Sequence, residues 1–163
     1  MEKQDYRLQA LLGIRERKKE EAERALGAAL QALKKEQDRL REMEAELERM
    51  IAKRKAKMRE YAEKSMRGEM SAQDVVGANV FIDRLKEQEE AQKNTIEGQK
   101  AVIAQKQEEV SQARKAVVDA TQELKALEKH KEKWVAQVKK EREAKEEEAM
   151  DDIAQAIYLG QKR

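Results

Sequence analysis

Between Ile82 and Val138 apolar residues recur at alternating steps of three and four, and nothing else in the chain limits its fold as much. One position of the repeat runs Ile82, Glu89, Ile96, Ile103, Val110, Val117, Leu124, Lys131, Val138. The second runs Leu85, Gln92, Gln99, Lys106, Ala113, Ala120, Leu127, Trp134. The steps alternate for eight heptads without a slip. Such a helix carries a narrow apolar stripe, and that stripe leaves water only by lying against the stripe of another helix.

The chain supplies a partner. Over residues 5–66 one seam position holds Leu12, Lys19, Leu26, Leu33, Leu40, Leu47, Arg54 and Tyr61, and the other holds Leu8, Arg15, Ala22, Ala29, Glu36, Met43, Met50 and Lys57. Leu30 and Ile51 widen this stripe, and pairs such as Lys19 with Glu23 cover its outer faces. The break between the two stripes falls at residues 66–74. Gly68 suits the left-handed position that closes a helix. Ser71 with Asp74 three residues on resembles a capping box, flanked by Met70 and Val75 where a hydrophobic staple would sit. A stop and a start this close make neighbouring helices antiparallel. The alternative, one continuous helix dimerising in parallel, is disfavoured by Gly68, Ser71 and Gly77.

The expected fold class is therefore all-α: two long helices in an antiparallel coiled-coil hairpin with a C-terminal helical overhang. As a domain, residues 1–163 read as a single elongated hairpin, with arm one at about 5–67, the turn at about 68–74 and arm two at about 75–158. Folding about residues 69–70 sets Leu8 opposite Lys131 to Trp134, so the second arm outruns the first. On that overhang the seam turns polar at Glu141, Lys145, Glu148 and Asp152, and Glu146-Glu147-Glu148 reads as a solvated run. Apolar residues then return at Met150, Ile153, Ile157, Tyr158 and Leu159, and the first three share one helical face with nothing in the chain to cover it.

Composition excludes several function classes. With no proline, long helices go unbroken, and with one Phe, one Trp and three Tyr an ordinary globular core is out of reach. Net charge is +2 from 36 basic and 34 acidic residues, unlike the large basic excess of a general nucleic-acid binder. The N-terminus lacks the apolar run of a signal peptide, and no window approaches the roughly 20 apolar residues of a membrane span. A cytoplasmic monomer is expected. There are no cysteines and one histidine, so the common zinc ligand sets cannot be assembled, and there is no phosphate-binding glycine loop. His130 beside Trp134 reads as structural. A two-helix hairpin offers no dry cleft to tune a carboxylate pair, so no catalytic residue, metal or cofactor is expected.

Two surfaces remain. The basic cluster Lys53, Arg54, Lys55, Lys57 and Arg59 could meet an acidic protein or a nucleic-acid backbone, though no interleaved aromatics support base stacking. Near the same end, Phe81 sits one residue off the seam at Ile82, with Leu85 and Tyr61 close by. A flank-exposed Phe is a candidate contact residue, or else it packs the edge of the hairpin.

Three stretches, Tyr6-Arg7-Leu8-Gln9-Ala10-Leu11-Leu12, Phe81-Ile82-Asp83-Arg84-Leu85 and Leu127-Glu128-Lys129-His130-Lys131-Glu132-Lys133-Trp134, resemble the YscO/FliJ family of type III secretion and flagellar export stalks. The YscO branch of injectisomes is the nearer match. The resemblance implies a non-enzymatic adaptor, located at the inner-membrane secretion apparatus. It would engage and stimulate the hexameric export ATPase and contact the export-gate protein and secretion chaperones. It implies an ATPase-facing end at Leu8, Leu11, Leu12, Met150, Ile153 and Ile157, and a gate or chaperone contact near the turn at Tyr61, Phe81 and Leu85. Two other classes stay open: a generic coiled-coil scaffold, and a helical arm that binds nucleic-acid backbone through residues 53–59.

Overall fold

The structure, a computed structural model, describes residues 6–161. It consists of two helices, α1 (Gln9–Met66) and α2 (Ala72–Gln161), with no strand among the described residues. They form an all-α antiparallel hairpin, the fold class that the two stripes require.

Local chemistry sets both helix ends at the turn. α1 closes in a Schellman motif: Glu69 N–H donates to the Lys64 carbonyl at 3.0 Å and Gly68 N–H to that of Ser65 at 3.1 Å. This geometry puts Gly68 at φ 70°, where a side chain would meet its own backbone. Three residues later Ser71 caps α2. Its N–H donates to Asp74 Oδ2 at 2.9 Å, and Asp74 N–H donates back to Ser71 Oγ at 3.1 Å. The box is complete with Asp in place of the usual Glu. The Ser71 backbone N–H, then its hydroxyl, hold the Asp74 carboxyl below its ordinary pKa of 3.8. Because the cap is Ser71, α2 starts at Ala72, inside the segment expected as turn. At the other end it runs on to Gln161.

The chain divides into two compact units, Ala25–Arg114 and Met1–Arg24 with Lys115–Arg163. In the first, the turn unit, the core is Ala78, Ile82, Leu85, Ile96, Ile103 and Val110, each no more than 9% exposed. Every other expected seam position of this unit is at least half-buried, except that Leu30, outside the two seam series, is 39% exposed and widens the stripe little. Polar groups sit in this seam in matched layers. Arg54 Nε donates to Glu89 Oε2 at 2.7 Å, Gln92 Nε2 to the Met43 carbonyl at 3.0 Å, and Gln99 Nε2 to the Glu36 carbonyl at 2.9 Å. Backbone carbonyls recur at every heptad, so a one-heptad slip would spare the last two. It would part Arg54 from Glu89 and Gln99 from the Glu36 carboxylate, and these two side-chain pairs select the register that the apolar residues alone would leave degenerate.

In the second, the terminal unit, Leu12, Ala120 and Leu124 are buried, with Ala120 at 2% exposure. Tyr6 closes the seam. Its ring lies 5.2 Å from that of Trp134, and its hydroxyl hydrogen-bonds His130 Nδ1 at 2.5 Å. Arg15 and Lys18 both donate to Glu123 Oε2, at 2.5 and 3.0 Å. The last half-buried seam residue is Val138, and every described residue after it is exposed.

Candidate functional site

Where the seam ends, α2 continues as an unpaired helix. Met150 is 68% exposed, and Ile153 and Ile157 are each 57% exposed. Their spacing of three and four stacks them on one face. At 100° per residue that face is turned roughly 90° from the seam line through Val138, so it does not prolong the stripe that α1 covers. Tyr158 and Leu159, at 58% and 65% exposure, lie on the other sides of the helix. An isolated solvated helix has no use for five large apolar residues here, whereas a partner surface does.

The residues expected at this end do not gather in one place. Leu12 is 5% exposed and belongs to the seam, while Leu8 and Leu11 are half-buried beside it. Tyr6 meets α2 at Trp134, about 24 Å of helix short of Met150. Leu8, Leu11 and Leu12 thus build the shaft, and Met150, Ile153 and Ile157 carry the apolar face beyond it.

In the turn unit a second apolar surface lies on α2. The Arg54–Glu89 pair sets a register in which Tyr61 falls beside Ile82. Tyr61 and Phe81 are half-buried, and Leu85, at 6% exposure, lies beneath in the seam. Sequence reasoning passed over Val76 and Val80, which are 63% and 54% exposed, and Met66 at 89%. Val76 and Val80 are four apart and off the seam phase, a signal that the heptad count could have raised. The basic cluster is partly neutralised: Arg54 is held by Glu89, and Lys57 Nζ donates to Glu60 at 3.2 Å.

Along the shaft the charge pattern is one of paired carboxylates. Gln99 and, more weakly, Arg39, Lys35 and Lys106 hold Glu36 below the ordinary 4.5. Lys57 and Lys64 do so for Glu60, and Lys18 with Arg15 for Glu123. Among the described residues no cluster of His, Cys, Asp or Glu could hold a metal ion, and no helix is long and apolar enough to cross a membrane.

Two comparisons with known proteins bear on this chain. The model of YscO-like proteins matches residues 3–163. The chain belongs to the YscO-like family. Its fold is also similar to the solved structure of a YscO homologue from Chlamydia trachomatis, with a TM-score of 0.85, 22% identity and coverage of 96% of each chain. Among curated proteins none matches the sequence. As a YscO-like protein the chain is a stalk-like, coiled-coil component of type III secretion.

Proposed function

We propose that this YscO-like protein is the non-enzymatic adaptor that engages and stimulates the hexameric export ATPase, linking it to the export gate and to secretion chaperones. The observation that carries this reading is the free end of α2. Met150, Ile153 and Ile157 stand more than half exposed on a helix that has outrun its partner. Burying three such side chains in a partner would contribute about 1.5–3 kcal/mol each before the costs of association.

The turn unit supplies the second contact, for the gate or for chaperones. Phe81 and Tyr61 sit at its edge and Leu85 supports them from the seam, while Val76 and Val80 add an exposed apolar pair on another face of α2. Leu8, Leu11 and Leu12 serve the ATPase-facing end by holding α1 against α2.

The test is a titration of the full chain into the export ATPase of the same organism, following hydrolysis and ring assembly, with Ile153→Asp and a chain ending at Glu141 as variants. The full chain should stimulate and both variants should not, while circular dichroism shows Ile153→Asp fully helical. Normal stimulation by both variants would remove the free end from this role.

A further inference from the structure

The start of α1 is held to α2 by a cluster of three rings that the proposed function leaves unused. Tyr6 stands just before α1, in a turn closed by Gln9 N–H on the Tyr6 carbonyl at 3.0 Å. Its ring crosses to α2, 5.2 Å from that of Trp134 and 5.8 Å from that of His130. Tyr6 is 7% exposed, and among the described residues its hydroxyl makes one hydrogen bond, to His130 Nδ1. His130 itself is exposed, so water and protons reach it. The next buried residue of α1 is Leu12. The chain before Leu12 therefore rests on this ring cluster and on half-buried Leu8 and Leu11.

The two partners differ in what they can exchange. A phenol has one proton to donate, and a neutral imidazole accepts it at Nδ1 while its own proton sits on Nε2. A protonated imidazole carries hydrogen on both nitrogens and has no acceptor to offer. The Tyr6 hydroxyl must then turn its proton away from His130, where it has no second partner among the described residues. A buried donor without an acceptor favours the state in which that donor meets water. Charge acts in the same sense. Lys129, Lys131 and Lys133 neighbour His130 on α2 and stay with it in either state, whereas Arg7 comes and goes with Tyr6. Glu128 and Glu132, two positions away, lie roughly 160° around the helix. Asp5 is outside the described residues.

We propose that Tyr6 is a pH-operated clasp, which closes the open end of the hairpin while His130 is neutral and lets go when His130 is protonated. Imidazole is the side chain that ordinarily changes charge between about pH 5 and 8, and His130 is the chain's single histidine. The closed form binds fewer protons, so it is favoured as pH rises and lost as pH falls. Release stops at Leu12, and the seam beyond keeps its own stability over this range. Opening bares Trp134, so the uncovered stretch of α2 begins about one turn before Val138.

The test uses the full chain with two variants. His130→Gln keeps an acceptor and cannot titrate, and Tyr6→Phe keeps the ring and cannot donate. Two readouts are followed from about pH 7.5 to about pH 5. One is the emission wavelength of Trp134, the chain's single tryptophan. The other is exchange of the Gln9 and Leu12 amides, which donate to the Tyr6 and Leu8 carbonyls at 3.0 and 2.8 Å. Comparing chains at equal pH removes the chemical pH dependence of exchange. On acidification the parent's emission should move to the red, and its two amides should gain about ten-fold in exchange rate over those of His130→Gln. His130→Gln and Tyr6→Phe should show no such response. An unmoved parent, or a parent and His130→Gln that move together, would overturn the clasp. If His130→Gln is already red-shifted at the higher pH, Tyr6→Phe decides: a response equal to the parent's overturns the proposal, and its loss supports it.

Discussion

Glu89 is 5% exposed in the seam, and it survives there because Arg54 reaches across to it. A charge so placed tolerates loss of both partners better than loss of one. Arg54→Ala should therefore destabilise the protein by about 2–4 kcal/mol in urea unfolding, whereas Arg54→Met with Glu89→Leu should be near neutral or stabilising. Gly68 acts through backbone alone. With φ at 70° and nothing within 4 Å of a Cβ placed there, Gly68→Ala should cost about 1 kcal/mol by strain, not by collision. Acid should act on the carboxylates whose folded pKa is depressed: Glu36, Glu60 and Glu123 from 4.5, and Asp74 from 3.8. A depressed pKa means stability that is present above the unfolded value and is lost as pH falls through the folded one. The urea midpoint should stay level from neutral pH down to about 5 and fall below 4.5. A midpoint that rises on acidification would refute that assignment.

At the scale of the helix, α2 has two kinds of stretch. Up to Val138 its seam is at least half-buried, and beyond it the helix stands on propensity alone. Amide exchange should accordingly be slow through the seam and fast from residue 143 to the end. Tyr6 marks the boundary. Tyr6→Ala should release the first turn of α1 and red-shift the emission of Trp134, the chain's single tryptophan, with little change in total helicity. An unshifted emission would mean that Trp134 is shielded without Tyr6. Much of this level could be read from residue order. The stop at Gly68 and the start at Ser71 are short-range hydrogen-bonding patterns, and the seam is a periodicity. Val76 and Val80 were missed because attention to the stripe discards whatever is off its phase. Tyr6 could be placed in a motif but not over His130, since that contact spans 124 positions of chain.

For the molecule as a whole, each of the two units carries its own exposed apolar residues, Val76 and Val80 in the turn unit and Met150, Ile153 and Ile157 in the terminal unit. If each serves its own partner, their mutations should separate too. Phe81→Ala should weaken export-gate binding in pull-down and leave ATPase stimulation intact, whereas Ile153→Asp should do the reverse. A Phe81→Ala protein that loses thermal stability instead would show that the ring is core. The sequence by itself determined the two seams, the turn and the antiparallel pairing, because each follows from helical period and from caps made by near neighbours, while the register is held by Arg54 with Glu89 and Gln99 with Glu36 across the seam. Only the tertiary structure decided which apolar residues are covered. Leu12 and Leu85, seam positions that the resemblance also placed among the contact residues, are buried, while Val76 and Val80, which the heptad count did not single out, stay open. Burial at any level of one helix depends on whether the other helix reaches that level, and that is a property of the folded pair.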